Sequence, residues 1–153
     1  MSSPFFTLEL KGTEGLTAKF RDLTDLDTQD ILDQSAAVIL DHIRFRFLHT
    51  QTDAQGNAWP ESQAAKDRRK SGRDGTTLFD TGKLFRSIQE YSIDENTRAI
   101  GANAENAQGV QYGKFAQYGT IHMPKREFLG FGDTELQIIA NFVHQKIEGI
   151  LRS

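Results

Sequence analysis

Apolar positions along the chain fall into three stripes of helical spacing and several short runs that alternate as strands do. Leu32, Ala36, Ile39, Ile43 and Phe47 recur every three or four residues, which predicts a long amphipathic helix from about Thr28 to His49. Asp27 or Thr28 can cap its start, and Asp30 and Asp33 lie near the positive end of its dipole, so this acidic cluster reads as helix-start chemistry and not as a metal site. Leu136, Ile139, Ala140, Val143, Ile147 and Ile150 predict a C-terminal helix, entered through Asp133 or through a Thr134/Gln137 capping box and packed on the sheet and the long helix. Leu16, Phe20 and Leu23 predict a shorter one between Gly15 and Leu26. Pro4 to Lys11, Gln89 to Ile93 and Thr97 to Gly101 read as strands, the last two joined by the polar turn Asp94-Glu95-Asn96. Tyr112 to Tyr118 suits a short helix ending at Gly119 as a left-handed C-cap, and Met123 to Phe131 an extended segment. The pattern predicts one α+β domain over residues 1–153, with an antiparallel sheet.

Between Thr50 and Thr77 the apolar pattern stops. Trp59 is the one large hydrophobe there, among the breakers Gly56, Pro60, Gly72 and Gly75. Connections beyond about 12–15 residues without structure of their own are uncommon in compact domains. The segment therefore reads as a mobile polar arm, with Ser62 to Lys70 able to form an exposed helix. Within the arm, Lys66, Arg68, Arg69, Lys70 and Arg73 face only Asp67 and Asp74, in a chain whose net charge is -3. Such a run is commonly a solvated face. Its functional reading is a contact with an acidic neighbouring subunit or with DNA phosphates. The absence of interleaved aromatics argues against base recognition. Of the two contacts, the one with protein is favoured. Reversing Arg68, Arg69 and Lys70 is then expected to leave the fold intact.

Composition narrows the chemistry. With 153 residues the chain can bury a core, and with no cysteine it has neither disulfides nor thiolate chemistry. No stretch is long and apolar enough to span a membrane, and the first residues do not resemble a signal peptide. Thr81-Gly82-Lys83 lacks the earlier glycine and the following hydroxyl of a phosphate loop. His42, His49, His122 and His144 show no metal-ligand spacing, and no serine elbow occurs. No catalytic residue, metal or cofactor is expected.

An ordered set of short motifs remains. Gly56-Asn57-Ala58-Trp59 follows Phe47, then come Leu78-Phe79-Asp80-Thr81-Gly82-Lys83-Leu84-Phe85-Arg86-Ser87-Ile88 and Ile100-Gly101. Next are Tyr112-Gly113-Lys114-Phe115-Ala116-Gln117-Tyr118-Gly119 and Pro124-Lys125-Arg126-Glu127-Phe128-Leu129-Gly130. Together they resemble the virion-morphogenesis family of Mu-like phages over roughly residues 28 to 152. Gly113, Ala116 and Glu127 stand where that family has alanine, histidine and proline. The resemblance implies a structural role in completing tails or joining them to heads, as a ring of six copies through which DNA passes, in contact with neck and tail proteins. The place implied is the head-tail junction of the virion, after assembly in the host cytoplasm. Rival readings are a tail terminator or neck adaptor in the same particle, and a small non-specific DNA-binding module. Thr81, Gly82, Leu84, Ser87, Ile88, Gly101, Tyr112, Gln117, Gly119, Pro124, Arg126, Phe128 and Leu129, with Gly56 and Trp59, are expected to specify the fold. Trp59 and the five arm cations are the candidates for partner contact.

Overall fold

A computed structural model describes residues 7–10 and 27–152. The long helix forms where the stripe predicts it. Helix α1 spans Thr28–Phe45, and the Asp27 side chain caps it by accepting from the Asp30 N–H at 3.0 Å. A π-helical turn, Arg46–Thr50, continues the same rod and carries Phe47 into the core before Gln51 ends it in a left-handed conformation. The buried face is Ile31, Leu32, Ser35, Ala36, Ile39 and Ile43.

Three strands form one antiparallel sheet: β1 (Thr7–Leu10), β2 (Gln89–Asp94) and β3 (Thr97–Gly101), in the order β1-β3-β2. The β2–β3 hairpin turns as its polar residues predict, with the Asp94 carboxylate accepting from the Asn96 N–H at 2.8 Å. Every residue of β3 is buried, and α1 lies against β3 and β2. Of the strand expected from Pro4 to Lys11, Thr7–Leu10 is described; the helix expected from Gly15 to Leu26 lies outside the described residues.

The segment 50–77 departs from the expected arm, because it folds back onto the body. Thr52 and Ala58 close a tight loop, and helix α2 (Gln63–Lys70) is capped by the Ser62 hydroxyl, which accepts from the Ala65 N–H at 3.1 Å. Trp59 is only 8% exposed and Ala65 is fully buried. Gln51 ties the two ends together: its carbonyl accepts from Trp59 N–H at 2.8 Å and its side-chain oxygen from Thr77 N–H at 3.0 Å. Counting apolar residues misses this anchoring, since one tryptophan seats the segment in the core and polar groups supply the tethers.

Helices α3 (Lys83–Arg86) and α4 (Gly113–Tyr118) follow, and α5 (Asp133–Arg152) closes the fold. The start of α5 differs from the predicted capping box. Gln137 bonds forward to Asn141, and Glu135 reaches back to accept from the Gly132 N–H at 2.9 Å. Helix α5 packs on α1, while its apolar stripe is only partly covered, with Leu136 48% exposed. Glu135 itself is buried against Arg46 and His42, with His42 Nδ1 at 3.1 Å.

Candidate assembly surface

Most of the motif residues turn inward. Gln117, on α4, is buried, and its Oε1 accepts from the N–H groups of Phe128 (3.1 Å) and Leu129 (3.0 Å) while its Nε2 donates to the Leu129 carbonyl (3.1 Å). One side chain thereby does the work of a strand partner for an extended segment that has none. Arg126, also buried, donates from its backbone to the Ala116 carbonyl at 2.7 Å and from Nε to the Pro60 carbonyl at 2.5 Å, and burial pushes its pKa down. Trp59 donates to the Glu127 carbonyl at 3.0 Å. The rings of Trp59 and Phe128 both meet Phe47 edge-on, at 5.6 and 5.7 Å, so these three aromatics form the centre of the core. Trp59 uses the backbone carbonyl of Glu127, so this bond does not depend on the side chain at that position.

The first motif block builds a turn. Gly82 has φ +79°, where an added Cβ would meet the Phe79 ring at 2.9 Å. Thr81 supports the turn through its hydroxyl, which accepts from Lys83 N–H at 3.4 Å, and the Ser87 hydroxyl donates to the Leu84 carbonyl at 2.7 Å. Leu84 and Ile88 are buried beneath it. Gly101, at the end of β3, pairs with Thr7 on one side and Gln89 on the other. Tyr112 packs half-buried against the core, and burial raises its pKa. Gly119 is not the left-handed cap expected: its φ of 73° goes with ψ 171°, a conformation almost confined to glycine. An added Cβ there would lie 3.0 Å from the Lys125 backbone nitrogen. Gly56 and Pro124 are exposed.

The basic run is divided by the fold. Arg68 points inward and donates to the carbonyls of Asp74 (3.0 Å), Thr76 (2.7 Å) and Phe79 (3.1 Å), so it holds the loop after α2 in place. Arg69 pairs with Glu61, and Arg73 with Asp80 at 2.9 Å. Lys66 and Lys70 are exposed and reach no carboxylate among the described residues. Trp59, offered as a contact residue by the sequence, belongs to the interior.

Beside α2 lies a different kind of surface. An open cavity of about 350 Å³ is lined by Leu78, Leu84, Tyr112, Phe115 and Met123, with Arg68 and Arg126 at its wall. Next to it the hairpin turn Thr120–Met123 carries Ile121, which is 94% exposed, and Phe115 is 39% exposed. An aliphatic side chain at the tip of a turn adds nothing to the fold. Among the described residues no cluster of His, Asp and Glu could hold a metal ion, and no helix is long and apolar enough to cross a membrane.

The model of the phage virion morphogenesis family matches residues 12–148. The chain belongs to that family. No curated protein and no solved structure matches it. Membership makes this a phage protein with a structural or assembly role in the virion, and the buried positions of Gln117, Arg126, Phe128 and Leu129 give the motifs of the virion-morphogenesis chain a physical meaning: they join α4 to the segment before α5. The pattern reading missed Ile121 and Glu135. For Ile121 the signal was an aliphatic residue set among Gly119, Thr120, His122 and Pro124, in a stretch otherwise suited to turns. For Glu135 it was a carboxylate four residues before Ile139, on the stripe that faces α1.

Proposed function

We propose that this chain completes the tail or joins it to the head, as a ring in the neck of the particle.

 Six copies would match the symmetry of a tail tube, and DNA would pass through the centre. The observation that supports this reading is where the family's motifs lie. Most of them are used up inside the fold, and what is left outside is an apolar knob and groove around Ile121 and Phe115. Elsewhere on α2, Lys66 and Lys70 are exposed and meet no carboxylate among the described residues. An apolar surface of that kind suits contact with other virion proteins better than it suits catalysis. Neighbouring neck and tail proteins are the partners it fits, with acidic groups opposite the two lysines. Placement as a tail terminator or neck adaptor would use the same surface at a different level of the particle.

The test is an Ile121→Asp variant beside a Lys66→Glu/Lys70→Glu double variant. All three positions are exposed, so unfolding free energy should change by only about 0.5 kcal/mol per substitution. Electron microscopy of the particles should show separate filled heads and tails. Normal particles from both variants would refute the proposed surface. Binding of duplex DNA by the purified protein, falling steeply with salt, would favour a nucleic-acid role for the lysines instead.

A further inference from the structure

Among the described residues the sheet ends in two outer strands, β1 and β2. Strand β3 lies between β1 and β2, so among the described residues each outer strand has a neighbour on one side only. The exposed row of N–H and C=O groups on such a strand is a template for another strand. We infer that copies of this chain join head to tail through these edges, β2 of one copy against β1 of the next, which rests on the ring reading above.

Three features of the sheet carry the inference. The edges are different surfaces on opposite sides of one sheet, and contact between unlike patches is the kind that closes into a ring. Their lengths agree: β1 has four residues, Thr7–Leu10, and the regular part of β2 before its register shift is Gln89 to Ser92. Their directions agree as well. Both strands run antiparallel to β3 and hence parallel to each other, and rotation about an axis along the strands preserves direction, so β1 of the next copy meets β2 in parallel. Pairing of β2 with a second β2 about a twofold axis would be antiparallel and would stop at a dimer.

The chain has no cysteine, which allows a clean cross-linking test. Glu9→Cys is combined with Tyr91→Cys in one protein and with Ser92→Cys in another, so that both faces of β2 are sampled, and a short bismaleimide is added at concentrations where sedimentation shows oligomers. One of the double variants should give a ladder of covalent species ending at the ring, while each single variant stays uncrosslinked. In the unsubstituted protein, amide exchange in β2 should slow about tenfold or more on going from monomer to oligomer, a readout independent of any substitution. Dimers from a single β2 cysteine would place β2 against β2 and overturn the inference. Oligomers with neither cross-links nor β2 protection would overturn it and leave the ring reading standing. A protein that stays monomeric at every concentration and with purified tails would remove both.

Discussion

Gln117 shows how much one polar side chain can hold. Its amide satisfies three backbone groups of Phe128 and Leu129 that have no strand beside them. Gln117→Ala should therefore cost about 2–3 kcal/mol, since buried groups left unpaired lose their full solvation. A urea titration with a lower midpoint and an unchanged slope would show it. Arg68 is the second case, and it reverses what the basic run suggests. Because its guanidinium holds three carbonyls, Arg68→Ala should destabilise by about 2 kcal/mol, and Arg68→Lys should recover little, as an ammonium lacks the planar fork. The same substitution at Lys66 should be almost silent. Equal melting temperatures for the Arg68 and Lys66 variants would contradict this account.

At the scale of elements, one loop design occurs twice. Asp53-Ala54-Gln55-Gly56-Asn57 and Asn106-Ala107-Gln108-Gly109-Val110 are each closed by an isolated bridge, Thr52 to Ala58 and Glu105 to Gln111. In each, the first side chain accepts from the backbone N–H groups two and four residues on, at 2.9 Å twice for Asp53 and at 2.9 and 3.0 Å for Asn106. The fourth residue is a glycine with positive φ, +87° and +77°. Neither glycine has an atom within 4 Å of an added Cβ, so Gly56→Ala and Gly109→Ala should each cost only the backbone term, about 1 kcal/mol. Gly119→Ala should cost several-fold more, because its Cβ would press on the Lys125 backbone. Thermal melts of the three variants would rank them. Asp53→Asn should keep the loop, since Asn106 already makes the same bonds.

At the scale of the whole molecule, the attachment of α5 rests in part on charge. Its apolar stripe is partly open, and its ties to α1 include Glu135 with Arg46 and His42, and Lys146 with Asp30 at 2.8 Å. Burial alone would raise the Glu135 pKa, but the Gly132 N–H, Arg46 and His42 outweigh it and the net shift is downward. Hydrogen bonds from Lys146 and Gln34 lower Asp30. A carboxylate with a lowered folded pKa stabilises fully above its unfolded value and loses that contribution as pH falls through the folded one. Helix α5 should thus lose hydrogen-exchange protection below the ordinary Glu and Asp values, before the β2–β3 hairpin does. Glu135→Gln should weaken the helix at neutral pH and flatten this acid dependence. Simultaneous loss of α5 and the hairpin at every pH would argue against a separately held helix.

The sequence by itself determined the local elements of this protein and its family. The stripe of α1, its Asp27 cap and the β2–β3 hairpin follow from spacing and side-chain chemistry within a few residues of each other, and so they are legible in order along the chain. The motifs around Gly82, Gln117 and Phe128 were legible as family marks in the same way. Tertiary structure decided everything that depends on contact between distant positions. It placed β1 beside β3, seated Trp59 against Phe47 and the Glu127 carbonyl, and turned Arg68 from a solvent cation into a loop clamp. It also buried Glu135 against α1 and left Ile121 in solvent. Periodicity records which side of an element is apolar, but whether a lone tryptophan or arginine finds a partner depends on atoms outside its own element, and only the folded chain brings those together.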